Sequence, residues 1–396
     1  MRSLLSLVAF LALLCTSCIS TNNVDQLRFI SYDSVALAKN KQLIGPSNKA
    51  YVKLLEKADA SLESAIDPVT NKTLLPASGD PHDYFSFGPY WWPNPDTEDG
   101  LPYVKRDGEY NMATKTAATD KMRMIKLAHE VKALGLAYYF SEDPKYAEKA
   151  KAQLRAWYIN PATRMNPNMN HAQAIPGLVD GRGIGLIDSR LLIGVIDSVE
   201  LIRPTLTDEE YNAIVQWFAE LKHWMLTSKN GKEEDAYFNN HGTWFDAQVV
   251  AIAIFVGDTE EAKTRLQKIT TTRIQAHFDA HGEQEEELSR TKPWHYVNFN
   301  LEAYSLLGRY ADVLGVDLWN FKTGGISLEQ GYRFVADYAA TGKAWPYKEK
   351  GGYKPYQAYG NMLYAEAAYQ TDAYRDAVAA LKADKKVQED IHNLLF

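Results

Sequence analysis

Cysteine is almost absent from this chain: its 396 residues include two, Cys15 and Cys18, and both lie near the N-terminus. A disulfide framework or a cysteine-based zinc site is therefore excluded for the rest of the chain. Basic residues are not in excess either, because 43 Lys and Arg stand against 50 Asp and Glu, a net charge of −7. This balance argues against a general basic surface, so we predict no nucleic-acid partner.

Long hydrophobic runs are also scarce, and the clearest one spans residues 4–14, interrupted by a single serine. It follows a positively charged residue and is too short to span a bilayer, which predicts a cleaved export signal over residues 1–17. Residues 13–18, Leu-Leu-Cys-Thr-Ser-Cys, resemble a bacterial lipobox. That resemblance implies a lipid anchor on Cys18 and a periplasmic or outer-membrane lipoprotein. The alternative is an ordinary signal peptide with incidental cysteines. We expect residues 18–396 to form one domain.

Helical spacing of apolar residues dominates the chain beyond this signal, and no segment shows the alternation of a convincing strand. Helices are predicted over 47–66, 115–140, 143–158, 187–202, 207–229, 241–256, 259–280, 294–315, 327–340, 356–370 and 372–382. Residues 247–256 are apolar on every face, as an inner helix requires. We therefore predict an all-α fold, an (α/α) toroid forming an incomplete barrel of about six to seven helical hairpins.

Two long stretches without helical spacing, 68–114 and 159–183, interrupt these helices, and loops of that length are usually functional. In the first, seven aromatic residues lie between His82 and Tyr103. Aromatic rings contact the apolar faces of sugars, and neighbouring cations neutralise carboxylates. We therefore predict a cleft wall that binds an acidic polysaccharide, with a buried plug as the alternative. The expected substrate contacts are Tyr84, Tyr90, Trp91, Trp92, Lys105 and Arg106.

The second stretch combines polar side chains with several glycines. Its candidate substrate contacts are Asn170, His171, Gln173 and Arg182. Polar residues of this kind also serve tight connecting loops, so substrate contact and a purely connecting role both remain open.

A third group of polar residues stands at the start of two long helices. Asn240 and His241 open the buried helix, while Arg290 and Tyr296 lie where the next long helix begins. These four residue types suit β-elimination at a uronate, in which the C5 carboxylate must be neutralised, H5 removed and O4 protonated. Arg290 and Asn240 would neutralise the carboxylate, and His241 and Tyr296 would supply the base and the acid. Further expected contacts are Trp244, Lys292 and His295, with Lys292 an alternative to Arg290 as neutraliser.

Other catalytic classes have little support in the sequence. No histidine pair has the spacing of a zinc helix, and glycine-rich phosphate loops and the nucleophile elbow of serine hydrolases are missing. We predict no metal and no cofactor. Two alternatives remain: a non-catalytic glycan-binding lipoprotein of the outer membrane, and a toroid glycoside hydrolase with two catalytic carboxylates. The carboxylates open to the hydrolase are Asp80, Asp83, Asp180, Asp246 and those within 283–287.

Four segments together resemble the alginate lyase superfamily of (α/α) toroids: residues 82–93, 170–182, 240–244 and 290–296. Within it, the pattern is similar to polysaccharide lyase family thirty-eight and, more distantly, to family five. The resemblance covers residues 30–370.

The resemblance implies a metal-independent lyase acting on a uronic-acid polymer such as alginate or glucuronan. It also implies Asn240 and Arg290 as carboxylate neutralisers, His241 as base or proton shuttle, and Tyr296 as catalytic acid/base. In mannuronate and glucuronate, H5 and O4 lie on the same face, so one tyrosine can serve both steps. We therefore predict syn elimination.

Overall fold

The computed structural model describes residues 30–396, so the predicted export signal and the lipidation site at Cys18 lie outside the described residues. Helices make up most of the described chain. Their bounds are Ser34–Leu43, Lys49–Glu63, Lys121–Ser141, Pro144–Leu154, Leu192–Leu201, Asp208–Thr227, Lys229–Asp235, Asn240–Phe255, Thr259–Thr264, Thr271–His277, Glu285–Leu288, Pro293–Leu314, Leu328–Ala340, Tyr359–Tyr369, Asp372–Leu381, Lys385–Gln388 and His392–Leu395. Within residues 30–396, no helix combines the length and hydropathy needed to cross a membrane.

The long helices form two layers, as the toroid prediction requires. Lys121–Ser141, Leu192–Leu201, Asn240–Phe255 and Pro293–Leu314 pack against one another in chain order and form the inner layer. Every residue of Asn240–Phe255 is buried except His241. This burial explains why the helix is apolar on all faces, since it has neighbours all round and presents one polar side chain at its first turn.

Outer helices flank the inner ones in pairs. Lys49–Glu63 and Pro144–Leu154 pack on Lys121–Ser141, and Asp208–Thr227 packs on Asn240–Phe255. Asp208–Thr227 begins at a capping box in which Thr207 and Glu210 satisfy each other's backbone N–H groups. The buried side chains of both layers form one continuous core.

Some predicted helices differ in winding from those observed, and some observed helices were not predicted. Where a helix was predicted over 187–202, the chain first forms a 3₁₀ helix, Gly183–Leu191. The α-helix starts only at Leu192. Residues 259–280 are interrupted by a π-helical turn, and the helix ends at His277. The helix Ser34–Leu43 was not predicted, because it buries only Leu37 and so lacks an apolar stripe. Hydrophobic spacing detects a buried face, not the local winding of the backbone.

The prediction of no strands was wrong in detail, since three short strand pairs occur. Phe85–Phe87 pairs in parallel with His171–Ala174, and Trp91–Trp92 pairs antiparallel with Val104–Lys105. The third pair joins Lys322–Thr323 to Ile326–Ser327. Strands of two to four residues are too short to show alternation. The first pair is important for the site, because it ties the two long predicted loops together.

Candidate active site

One cavity of about 560 Å³ lies where the two long loops meet the starts of the inner helices. It brings together eleven of the predicted site residues. They are Asn240, His241, Arg290, Tyr296, Tyr84, Tyr90, Trp91, Lys105, Gln173, Arg182 and His295. Residues that are far apart in sequence therefore converge on one space, which the sequence analysis assumed but could not demonstrate.

The Tyr296 hydroxyl lies at the centre of a hydrogen-bonded group. It accepts from Arg290 Nη2 at 2.9 Å and lies 3.0 Å from the hydroxyl of Tyr90. Burial and the neighbouring Tyr90 raise the pKa of Tyr296, whereas Arg290 acts to lower it. Tyr296 therefore rests as a neutral phenol, with a cation in position to stabilise its phenolate.

Asp107 holds Arg290 from the other side. Arg290 Nη2 donates to Asp107 Oδ1 at 2.9 Å, and the guanidinium also lies 3.9 Å from the centre of the Tyr296 ring. Burial acts against the charge of Arg290, but Tyr296 and Asp107 hold its pKa above the ordinary value. Among residues 30–396, the Nη1 group of Arg290 has no hydrogen-bond partner, so it is available to a substrate carboxylate.

A buried glutamate orients His241. The imidazole Nδ1 lies 2.8 Å from Glu234 Oε1, and a carboxylate can only accept, so Nδ1 carries the hydrogen. His241 lines the cavity, and among the described residues its Nε2 atom has no hydrogen-bond partner. Burial raises the pKa of the Glu234 carboxyl, and the neighbouring His241 opposes this shift.

A second buried glutamate fixes Asn240. Glu287 Oε1 accepts from the Asn240 backbone at 2.6 Å, and both of its carboxylate oxygens accept from the side-chain amide at 3.0 and 2.8 Å. Burial raises the pKa of Glu287, while the hydrogen bonds from Asn240 oppose the rise. The first turn of this inner helix therefore holds two predicted catalytic residues in fixed positions.

Gln173 connects the second loop to two charged side chains. Its backbone has φ +50°, a left-handed conformation that is unusual for a residue other than glycine. Its side-chain oxygen accepts from Arg182 Nη2 at 2.9 Å, and its amide nitrogen donates to Asp188 Oδ1 at 3.1 Å. Arg182 also lies over the ring of Trp91, 5.8 Å from the ring centre.

Six predicted substrate contacts lie outside the cavity lining: Trp92, Arg106, Asn170, His171, Trp244 and Lys292. Trp244 is 3% exposed and donates to the Phe299 carbonyl, so it supports the wall from behind. Trp92 donates to the Glu109 carbonyl and lies beneath Arg106. Because Arg290 lines the cavity and Lys292 does not, the geometry favours Arg290 as the neutralising cation.

The aromatic segment is divided between the two predicted roles. Tyr84 and Phe85 are buried, and the Tyr84 hydroxyl donates to Asp188 Oδ2 at 3.1 Å. Tyr90 and Trp91 are half-buried and line the cavity. The start of the segment is therefore a buried plug, of which Tyr84 borders the cavity, and its middle is a cleft wall.

Sequence reasoning missed several residues of the lining. The polar and aromatic ones are Asp107, Tyr110, Lys115, Lys121, Asp188, Arg190, Tyr237, Asn239 and Phe299. Asn239 directly precedes a predicted pair, and Asp107 follows two predicted cations, so proximity was a usable signal for both. Arg190 lies within a predicted helix, where nothing in the sequence distinguishes it from an ordinary surface arginine.

The charge of the cavity is opposite to that of the whole chain. Six basic side chains line it, Lys105, Lys115, Lys121, Arg182, Arg190 and Arg290, against two carboxylates, Asp107 and Asp188. Both carboxylates already have basic partners, at Arg290 and Lys121. None of the carboxylates considered for a glycoside hydrolase lines this cavity: Asp80, Asp83, Asp180, Asp246 and those within 283–287. Within residues 30–396, no cluster of three or more His, Cys, Asp or Glu could hold a metal ion.

Comparison with known proteins shows the family of this chain. The family model described as alginate lyase matches residues 68–345, which is more than half of the chain. This chain belongs to the alginate lyase family. The fold is closely shared with the crystal structure of an alginate lyase from Bacteroides ovatus, at 32% identity and a TM-score of 0.88, covering 92% of this chain and 98% of that one. The protein is accordingly a polysaccharide lyase, and its family implies an acidic polysaccharide substrate.

More distant members of the alginate lyase fold are also similar. Alginate lyase A1-III from Sphingomonas species A1 matches with 16% identity and a TM-score of 0.59, covering 89% of this chain and 92% of that one. A variant of A1-III with a tyrosine changed to phenylalanine, crystallised with a tetrasaccharide, matches with 14% identity and a TM-score of 0.56, covering 86% of this chain and 87% of that one. At this identity the likeness shows the (α/α) toroid fold. No curated protein sequence matches the chain significantly.

Proposed function

We propose that this lyase cleaves the C4–O4 bond of a uronic-acid polymer by syn β-elimination and leaves an unsaturated uronate end. The observation that carries the proposal is the contact between Arg290 and Tyr296, with Nη2 at 2.9 Å from the phenol oxygen. This contact places a positive charge where both a phenolate and the C5 carboxylate of the substrate would need it. The excess of basic side chains around the cavity supports an acidic substrate.

In this proposal, Arg290 receives the C5 carboxylate through Nη1 and stabilises the charge that develops on it. Asn240 shares this role by turning one of its amide N–H groups from Glu287 to the substrate. The Tyr296 phenol first loses its proton to solvent, and the phenolate that remains, stabilised by Arg290, removes H5. The electron pair of the C5–H5 bond forms the C4–C5 double bond, and the C4–O4 bond breaks. Tyr296 then gives the same proton to O4, so the phenolate is restored and no water is consumed. In its protonated form, His241, which Glu234 orients, donates a hydrogen bond from Nε2 to the C5 carboxylate.

Mannuronate-rich alginate and glucuronan are the proposed substrates. In both, H5 and O4 lie on one face of the sugar, so a single side chain reaches both atoms. In guluronate they lie on opposite faces, and elimination would need two groups on opposite sides. The hydrogen-bonded group around Tyr296 supports one acid/base residue of this kind.

The test is to incubate the purified protein with polymannuronate, polyguluronate, glucuronan and a neutral glycan. We expect ultraviolet absorbance from conjugated unsaturated uronate with polymannuronate and glucuronan, and none with the neutral glycan. Mass spectrometry should show products that have not gained water. Hydrolytic products, or cleavage of polyguluronate alone, would contradict the proposal.

We further propose that the protein is exported and anchored by lipid on Cys18, and that it belongs to polysaccharide lyase family thirty-eight. The short apolar run and the lipobox-like residues 13–18 support the anchor. Cys18→Ala should abolish incorporation of a labelled fatty acid and release the protein from the membrane fraction. Membrane-bound Cys18→Ala protein would argue against this anchor.

A further inference from the structure

Arg190 is a basic residue of the cavity without an assigned role. It lies near the end of the 3₁₀ turn Gly183–Leu191, and its Nη1 group donates to the Ile187 carbonyl at 2.9 Å. The guanidinium lies 5.0 Å from the centre of the Phe299 ring and 5.8 Å from that of Trp244. Among the described residues, no carboxylate lies within ion-pair distance of it.

The nearby Asp188 cannot serve as the missing partner. Its Oδ1 accepts from Lys121 Nζ at 3.0 Å and from Gln173 Nε2 at 3.1 Å. Its Oδ2 accepts from the Tyr84 and Ser86 hydroxyls at 3.1 and 2.9 Å. Each oxygen thus has two donors, which uses the full acceptor capacity of the carboxylate.

Partial burial destabilises the positive charge of Arg190, and no ion-paired carboxylate within residues 30–396 compensates for this cost. Burial lowers the pKa of Arg190, and the acidic residues Glu302 and Asp188 only partly oppose this shift. A cation held between aromatic rings and a cavity is stabilised when an anion enters that cavity. The oxyanion with the best geometry for a planar guanidinium is a carboxylate.

The location of Arg190 relative to Tyr296 indicates which carboxylate it would meet. Phe299 lies three residues beyond Tyr296 on the helix Pro293–Leu314, on the same face. Arg190 therefore packs against a residue that lies about one helical turn, roughly 5 Å, from Tyr296. Arg290, which contacts Tyr296 directly, is taken by the carboxylate of the reacting sugar, so the carboxylate left for Arg190 in the same cavity is that of a neighbouring sugar.

We propose that Arg190 binds the carboxylate of the sugar next to the one that reacts, and so makes the enzyme require consecutive uronates. This inference rests on the proposed lyase function and narrows its substrate class to polymers with an acidic group on adjacent units. Polymers in which uronates alternate with neutral sugars would lack the anion that Arg190 needs.

The experiment compares wild type with Arg190→Gln on polymannuronate and on polymannuronate whose carboxyl groups have been partly reduced to alcohols. We expect Arg190→Gln to raise KM for the fully acidic polymer about tenfold, the usual effect of losing charge-assisted hydrogen bonds, with kcat changed less than about twofold. Wild type should prefer the fully acidic polymer, and the variant should lose most of that preference.

Arg333→Gln is the matched control. Arg333 also lies over an aromatic ring, 5.4 Å from the centre of Tyr374, but it is exposed and outside the cavity. It should keep the wild-type KM. Arg190→Lys, which keeps the charge but not the planar fork, should fall between wild type and Arg190→Gln and also serves if the glutamine variant does not fold.

Calorimetry with an oligouronate separates the two proposals, because binding is measured without turnover. Weaker binding to Arg190→Gln supports the role of Arg190 even if no unsaturated product forms, in which case the lyase proposal alone fails. Equal binding and equal preference in wild type and Arg190→Gln would overturn the inference while leaving the lyase activity intact.

Discussion

At the scale of single residues, two buried glutamates hold the side chains that are proposed to react. Glu234 orients His241, and Glu287 binds Asn240 through both backbone and side chain. From the sequence, the acidic residues within 283–287 were candidates only for the carboxylates of a hydrolase. Glu285 and Glu286 are exposed, whereas Glu287 is 1% exposed. A run of identical residues gives no sign of which one turns inward.

Replacing Tyr296 with Phe tests the proposed acid/base. Because the hydroxyl acts in the transition state, Tyr296→Phe should lower kcat by about 10²-fold or more with little change in KM. Steady-state kinetics on polymannuronate measures both constants. Retention of more than about a tenth of the wild-type kcat would remove Tyr296 from this role.

The pH dependence of the reaction follows from the same group. The proposed step needs the phenolate of Tyr296, and burial raises the pKa of this phenol above its ordinary value. The fraction of phenolate therefore grows as pH rises, so kcat/KM should increase from neutral to alkaline pH until the protein unfolds. A kcat/KM that falls steadily over this range would indicate that a protonated group is required instead.

Glu234→Gln tests how His241 is oriented. A glutamine can donate to Nδ1 as well as accept from it, so the imidazole loses its fixed tautomer. We expect kcat to fall about tenfold or more and the pH profile to change shape, with the melting temperature close to that of wild type. Glu233→Gln is the matched control, since Glu233 is exposed and does not contact His241. Equal kinetics for both variants would leave Glu234 with a purely structural role.

At the scale of elements, the sequence predicts the long helices well and the short strands poorly. The inner helix Asn240–Phe255 was located to within one residue, because its burial on all faces leaves a strong apolar signal. The strand pair Phe85–Phe87 with His171–Ala174 was missed, since its pairing joins segments that are remote in sequence. Of the candidate site, the four residues proposed to react were predicted from residue chemistry and line one cavity, while Arg190 and Asp188 depend on tertiary contacts.

The hairpin formed by Trp91–Trp92 and Val104–Lys105 allows a paired test of the aromatic wall. Trp91 lines the cavity, whereas its neighbour Trp92 bonds to the Glu109 carbonyl outside it. Trp91→Ala should raise KM several-fold or alter product lengths, and Trp92→Ala should leave KM close to that of wild type. Both tryptophans are half-buried, so neither change should cost the roughly 3–5 kcal/mol typical of a buried aromatic. A large fall in melting temperature for Trp91→Ala, with unchanged kinetics, would make it a core residue.

At the scale of the whole molecule, the distribution of charge is the main feature. The chain carries a net charge of −7, yet the cavity is lined by six basic side chains and two carboxylates. An acidic polymer is thus repelled by the general surface and attracted only at the cavity. We expect KM for polymannuronate to rise with ionic strength, with a smaller effect on kcat. A KM that does not respond to salt would indicate recognition through the sugar rings alone.

The cavity is built from two parts of the chain: the starts of the inner helices and the two long loops. The parallel pairing of Phe85–Phe87 with His171–Ala174 holds these loops together. The proposed reacting groups lie at or just before the starts of inner helices. Most other side chains of these helices are buried in the core. Nine further residues of the cavity lining lie on the two long loops, which are anchored to each other. Grafting both loops together from a relative would therefore transfer substrate preference as a module, whereas exchanging either loop alone would break the pairing that aligns them.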